Sequence, residues 1–263
     1  MLPTTAGHSQ RRCVVVGALL CSVWLASVTP SLAVDCEFEL LGEGVVTAVI
    51  DPRTIRLDDG REFRLAGVET VPDESGDLRS VLTELIGRHV ILRGAQDAPD
   101  RYGRQSAFVF SDLSASPVQR ELLARGEALI SADIADRDCA TELAEAEARA
   151  RKARLGTWGH ASVIKNAESP GDILARIGQF AVVEGRVLSV RQAGGTTYVN
   201  FGPRWTRDFA ATISRRMMPS FEAAGVTPKS FENHRIRVRG WVERRGGPRI
   251  EVLRVGQIEV VGD

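Results

Sequence analysis

The chain has 263 residues, with 34 basic and 34 acidic side chains, so its formal net charge is zero. Hydrophobic residues make up 43% and charged residues 26%, which are globular values and exclude a disordered or fibrous chain. The length points to one large or two small domains. Zero charge argues against a nucleic-acid partner only if the charge is evenly spread.

Arg11 and Arg12 are the only charged residues among the first 33. An apolar run over 13–28 follows them, and then Thr29-Pro30-Ser31-Leu32-Ala33. A basic start, a short apolar stretch and small residues at Ser31 and Ala33 predict a secretory signal peptide over 1–33, cut after Ala33. The alternative is an uncleaved anchor, but a spanning helix needs ~20 apolar residues. No second apolar run is long enough to span. The expected mature protein is therefore periplasmic or secreted, with no stable membrane insertion.

Removing the leader leaves Cys36 and Cys139. Two cysteines in an oxidising compartment predict one disulfide, with two free thiols as the alternative. In the chain-entropy model, closing a loop of about a hundred residues stabilises by roughly 4–5 kcal/mol. His8, His89, His160 and His234 are scattered and suggest no metal cluster.

Charge divides the remaining chain. Residues 34–160 hold 16 basic and 24 acidic side chains, whereas 161–263 hold 16 basic and 10 acidic. Asn166, Ser169, Pro170 and Gly171 near the change read as turn residues. The expected organisation is a signal peptide at 1–33, one domain at 34–160, a linker at 161–175 and a second domain at 176–263.

In chain order, 45–50 and 54–57 are β-rich, Asp58-Asp59-Gly60 is a hairpin turn, and 62–65 returns. A helix over 78–86 precedes strands at 89–92 and 107–110. A helix at 117–125 has Pro117 in its first turn and Gly126 after its end. A last helix runs from an Asp138 cap to about Arg154, with Glu145–Arg149 and Glu147–Arg151 at i, i+4 spacing. Leu155 and Trp158 are expected to dock its end on the core. This order predicts an α+β domain built on an antiparallel barrel with three helices. Beyond it, strands at 179–191, 196–201, 208–213, 235–243, 249–254 and 257–261 surround one helix at 218–224. That pattern fits a second, mainly β, OB-like barrel.

Four stretches carry a resemblance. Val49-Ile50-Asp51-Pro52-Arg53-Thr54-Ile55-Arg56-Leu57 is followed by Phe63-Arg64-Leu65-Ala66-Gly67-Val68-Glu69-Thr70. Asp100-Arg101-Tyr102-Gly103-Arg104 comes next, and the domain closes on Leu155-Gly156-Thr157-Trp158. Residues 43–160 resemble the staphylococcal-nuclease, or thermonuclease, family. The resemblance implies an OB barrel with three helices and phosphodiester hydrolysis at a calcium site. It places Arg64 and Arg104 at the family's two arginine positions. Fixed guanidinium forks there stabilise charge building on phosphate oxygens. It places the metal ligands at Asp51, Glu69 and Thr70, with Glu69 also the carboxylate of the catalytic set.

The same comparison shows departures. The family's Asp-Gly-Asp-Thr is Asp51-Pro52-Arg53-Thr54 here, so a calcium ligand is replaced by Arg53. Its Asp-Thr-Pro-Glu is Glu69-Thr70-Val71-Pro72, so Pro72 stands where a water-orienting glutamate belongs. Asp73 or Glu74 is the nearest replacement. Calcium takes six to eight oxygens, and a cation among them repels it. Calcium is therefore a doubtful cofactor for this chain.

In the second domain, 234–242 alternates. Ile236, Val238 and Val242 are expected to face the core, leaving Arg235, Arg237, Arg239 and Trp241 on the other face. Arginines beside an aromatic suit a single-stranded nucleic-acid groove. Arg204, Trp205 and Arg207 near Tyr198 and Phe201 repeat the mixture. The competing reading is cross-strand pairing with Glu251 and Glu259. With 31 Arg against 3 Lys, such faces arise by default.

The leading expectation is a secreted or periplasmic thermonuclease-family protein that binds single-stranded DNA or RNA and cleaves phosphodiester bonds weakly or in altered fashion. The alternative is a non-catalytic module for nucleic acid or an envelope polymer.

Overall fold

The computed structural model describes Met1 and residues 38–70, 78–95, 98–112, 114–131, 134 and 136–262. The signal-peptide segment and Cys36 lie outside the described residues, as do Val71, Pro72, Asp73 and Glu74. The compact unit Ala33–Asp263 contains both β-modules. No helix among the described residues is long and apolar enough to cross a membrane.

The first module is a closed barrel of β1 (Glu39–Asp51), β2 (Thr54–Leu57), β3 (Glu62–Leu65), β5 (His89–Gly94) and β6 (Gln105–Ser111), in the order β1-β2-β3-β6-β5. β1 is long enough to serve twice. Its first half pairs with β5 and its second half with β2. β3 and β6 close the barrel in parallel. Ile55, Leu57, Phe63 and Leu65 alternate inward and are essentially buried. The short strands β4 (Val68–Glu69) and β7 (Leu129–Ile130) pair beside the barrel. Two residues give no readable period, so neither was legible in the sequence.

Three helices complete this module: α1 (Leu78–Thr83), α2 (Val118–Arg125) and α3 (Arg137–Ala153). Gln119 of α2 is fully buried because it acts as a strand substitute. Its Nε2 donates to the Ala107 carbonyl at 2.8 Å, and its Oε1 accepts from the Val109 N–H at 3.2 Å. Gly126 ends α2 in the left-handed region, where a side chain would run into the Leu155 carbonyl. α3 is capped by Asp136, not Asp138. The Asp136 carboxylate accepts from the Cys139 N–H at 2.7 Å, three residues on.

The second module contains β8 (Ile164–Asn166), α4 (Pro170–Leu174), β9 (Phe180–Arg186), β10 (Ser189–Ala193), β11 (Thr196–Asn200), β12 (Ala210–Ser214), α5 (Met218–Ala223), β13 (Arg235–Arg245), β14 (Gly247–Val252) and β15 (Ile258–Val260). The expected linker at 161–175 is thus a strand and a helix of this module. β8 pairs in parallel with β9, and Pro170 sits in the first turn of α4. The turn residues that suggested a linker are the start of that helix.

The sheet runs β10-β11-β12-β14-β13-β9-β8, with β15 added to β13. β9 and β10 are parted only by Val187 and Leu188. Across this break β9 pairs with β13 and β10 with β11. Val187 still donates to the His234 carbonyl at 2.9 Å, and Leu188 to the Asn200 carbonyl at 2.8 Å. The pair therefore plays the two roles that the halves of β1 play. β12 and β14 run parallel, as β3 and β6 do. The core is Val183, Val199, Phe209, Ile213, Phe221, Ile236, Val238 and Ile250.

A third apolar cluster joins the modules. Leu129, Ala150 and Trp158 of the first pack with Val163, Phe180 and Val182. Trp158 enters this seam as a buried ring, while Leu155 is largely exposed rather than docked. Beside the seam, Arg239 of β13 is buried against Glu147 of α3 at 2.9 Å.

Candidate functional site

Asp51, Pro52, Arg53 and Thr54 form the turn from β1 to β2. The Asp51 carboxylate shapes it by accepting from the Arg53 N–H at 2.8 Å and the Thr54 hydroxyl at 2.8 Å. Arg64 lies on β3 between inward-facing Phe63 and Leu65, so the pleat turns it out of the core. Glu69 ends β4, and Thr70 follows it. Arg104 closes the loop before β6, whose backbone is held by Asp100. That carboxylate accepts from the Tyr102 N–H at 2.8 Å and the Arg104 N–H at 3.0 Å. Gly103 in this turn has φ 79°, which favours glycine.

These residues meet at one cleft of about 260 Å³. Arg64, Arg104, Glu69, Asp51 and Thr70 line one side. Gly178, Gln179, Phe180 and Trp241 line the other, so the second module supplies a wall. Sequence reasoning missed Gly178, Gln179 and Phe180. Nothing in their local pattern points to a site, because only the docking of the modules brings them there.

Arg104 is pinned on its flank. Its Nε and Nη2 donate to Asp100 at 2.9 and 2.8 Å, and its Nη1 lies 3.5 Å from Asp51. Its guanidinium also rests on the Tyr102 ring, 4.9 Å from the centroid. The hydrogen bond from Arg104 holds the Asp100 carboxyl below the usual carboxylate range. The reciprocal bond from Asp100 raises Arg104 above the usual guanidinium value, so it stays a fixed cation.

The carboxylate half of the site is closed from inside the chain. Arg53 is 7% exposed, and its guanidinium donates to the Val68 carbonyl. It pairs with Glu69 at 2.6 Å. Both Asp51 oxygens are engaged by the turn and by Arg104. Among the described residues, no group of three or more His, Cys, Asp or Glu side chains is arranged to hold a metal. Asp51 and Glu69 are each paired with an arginine of the chain, Arg104 and Arg53. A cation already sits against Glu69, and adding a divalent ion beside it would bring like charges into contact. Glu69 therefore lines the cleft with its carboxylate already paired to Arg53.

The open arginine face expected on β13 is corrected. The alternation is as read, with Ile236, Val238 and Val242 in the core. The opposite face, however, is covered by α3 and by neighbouring carboxylates. Arg239 donates to both Glu147 oxygens and to the Ile130 carbonyl at 3.1 Å. Arg237 pairs with Glu184 at 2.7 Å and with Glu259 at 2.8 Å. Arg235 pairs with Glu184 at 2.7 Å and stays half exposed. Arg151 of α3 joins Glu147 at 3.2 Å to Glu259 at 3.1 Å. Burial alone would raise Glu184, but hydrogen bonds from Arg235 and Arg237 outweigh it and hold its carboxyl below the usual range. Burial pushes Arg151 below the usual guanidinium value. Of that strand face, only Trp241 reaches the cleft. Arg204 is exposed on the loop between β11 and β12, and Tyr198 is half-buried on β11; neither lines the cleft.

A five-stranded closed barrel with three helices, and two arginines lining one cleft beside it, define an α+β architecture. Residues 79–160 match the family model described as staphylococcal nuclease homologue. That stretch is thus similar to a staphylococcal-nuclease homologue. The match includes Arg104, α2 and α3, but Asp51, Arg53, Arg64 and Glu69 lie before it. No curated protein matches the chain.

Proposed function

We propose that the protein binds nucleic acid through phosphates held at Arg64 and Arg104, outside the cytoplasm, and that it hydrolyses phosphodiester bonds weakly. The family match supports nuclease-like binding and hydrolysis at the level of the domain. The observation that carries the rest is the Arg53–Glu69 pair at 2.6 Å inside the same cleft as Arg64 and Arg104. The cations that bind phosphate face the cavity, while a carboxylate that would serve metal or water is neutralised. Two guanidinium groups in one cleft offer charge-assisted, forked contacts to phosphate oxygens. The site is proposed to work without calcium. Both modules are proposed as OB-type barrels, supported by their shared strand order and parallel closing pair.

A signal peptide over 1–33 and a Cys36–Cys139 disulfide complete the reading. Its support is the leader composition and the full burial of Cys139.

The test incubates the mature protein with single-stranded DNA, with calcium and with a chelator. The expected result is salt-sensitive binding and slow cleavage, both indifferent to calcium and reduced in Arg64→Ala and Arg104→Ala. Calcium-dependent rapid cleavage would overturn the metal reading. Absence of binding would overturn the nucleic-acid reading. The non-catalytic alternative is favoured by the same Arg53–Glu69 pair, and binding without any cleavage would establish it.

A further inference from the structure

Trp241 is a large aromatic side chain left half exposed, and it lines the wall of the cleft opposite Arg64 and Arg104. Its neighbours fix it there. The buried Phe180 ring meets it edge to face at 6.3 Å, with an interplanar angle of 79°. The strand it stands on is clamped on both sides. Val242 accepts from the Gly178 N–H at 2.9 Å and donates to the Gln179 carbonyl at 3.0 Å. Two residues earlier, Arg239 locks the same strand face to Glu147 of the first module. Phe180 itself is part of the apolar seam between the modules. The ring is therefore a half-exposed surface with Phe180 against it and the cavity beside it.

The cavity combines two chemistries. One side offers guanidinium groups for an anion, and the other offers an aromatic face. At about 260 Å³ it has room for a unit of small-molecule size, not for a duplex. We infer that Trp241, backed by Phe180, is a base-stacking subsite, so that the cleft takes single-stranded nucleic acid with one unpaired base on the Trp241 ring and its adjoining phosphate toward Arg64 and Arg104. A base within a duplex has both faces occupied by its neighbours and cannot reach that ring. Stacking on an aromatic tolerates any base, so the subsite selects for unpaired strands rather than for sequence. The second module thereby acts as the strandedness filter of the first module's phosphate site. This inference rests on the phosphate-binding reading of Arg64 and Arg104.

The test uses the intact mature protein and fluorescence anisotropy with two labelled probes of equal length. One is a single-stranded thymidine oligonucleotide. The other is the same backbone with every base removed. Trp241→Ala is expected to weaken the thymidine probe by roughly fivefold to a hundredfold and to leave the abasic probe unchanged. Trp241→Phe, which keeps a ring, is expected to restore most of the loss. Arg64→Ala is expected to weaken both probes. If Arg64→Ala weakens both while Trp241→Ala changes neither, the stacking subsite is wrong and the phosphate site stands. Equal weakening of both probes by Trp241→Ala would show that the ring only shapes the cleft, and would overturn the subsite. If Arg64→Ala changes neither probe, the phosphate reading itself fails, and the subsite as placed falls with it.

Discussion

Arg64 on β3 and Arg239 on β13 begin from the same sequence situation. Each is an arginine on a strand, next in sequence to a residue packed in its module's core. Their outcomes diverge because different material covers the two outer faces. Among the described residues Arg64 lines the wall of a cleft, where its charge can meet a ligand. Arg239 is covered by α3 and is only 4% exposed, so Glu147 and the Ile130 carbonyl take up its charge. Alternation says which side chains share a face. It does not say whether water, a ligand or another module will cover that face.

The largest effect that can sharpen this contrast falls on the buried pair. Glu147→Ala strands Arg239 in the interface, and removing one partner of a buried ion pair costs about 3–5 kcal/mol. Thermal unfolding should show the loss as a lower Tm, with Glu147→Gln milder because an amide still accepts a hydrogen bond. If Glu147→Ala is as stable as the parent, the interface does not depend on this pair. Next comes Arg64→Ala, for which a loss of about 1.5–3 kcal/mol in affinity for single-stranded DNA is expected from removing a charge-assisted contact. Its stability should stay within the range of surface substitutions, about ±0.5 kcal/mol. Equilibrium titration and a thermal melt together separate the two quantities, and a stability loss comparable to that of Glu147→Ala would break the comparison.

A smaller effect is the acid limb of stability. Glu184 has a folded-state pKa below its unfolded value, so its contribution is complete above about pH 4–5 and fades as pH falls through the folded value. Denaturant midpoints measured from pH 6 downward should fall less steeply in Glu184→Gln than in the parent. An identical slope would remove Glu184 from the network's account. The smallest effect belongs to Arg235, whose side chain is 50% exposed beside Glu184. Arg235→Ala should cost no more than about 1 kcal/mol and leave DNA affinity unchanged, since exposed pairs contribute little. A marked affinity loss would revive a groove on β13.

The barrel of the first module was largely legible in the sequence. Its strands are bounded by turn residues with definite chemistry, such as Asp58-Asp59-Gly60, and Gly126 stops α2 where it was read to stop. The convergence of Arg64, Arg104 and Glu69 was also legible, through the motifs around them. What failed did so for local reasons. Asp136 and Asp138 are equally good caps by type, and only the helix register chooses between them. Asn166 to Gly171 carry turn residues whether they link domains or start a helix. The interior role of Arg53 was invisible, because a position that loses a carboxylate does not announce that its replacement will fold back onto Glu69.

Arg239 and Trp241 are two residues apart on one strand face, one fastening the modules and the other bordering the cleft between them. That adjacency makes the cleft a joint as well as a receptacle. Anything that touches Arg64 on one side and Trp241 on the other also ties the two modules together. By mass action, whatever binds only the docked arrangement must favour that arrangement, in proportion to its concentration over its dissociation constant. Occupancy and cohesion are then a single equilibrium seen from two ends. Loosening the Arg239–Glu147 clasp should weaken capture without altering any residue that lines the cleft.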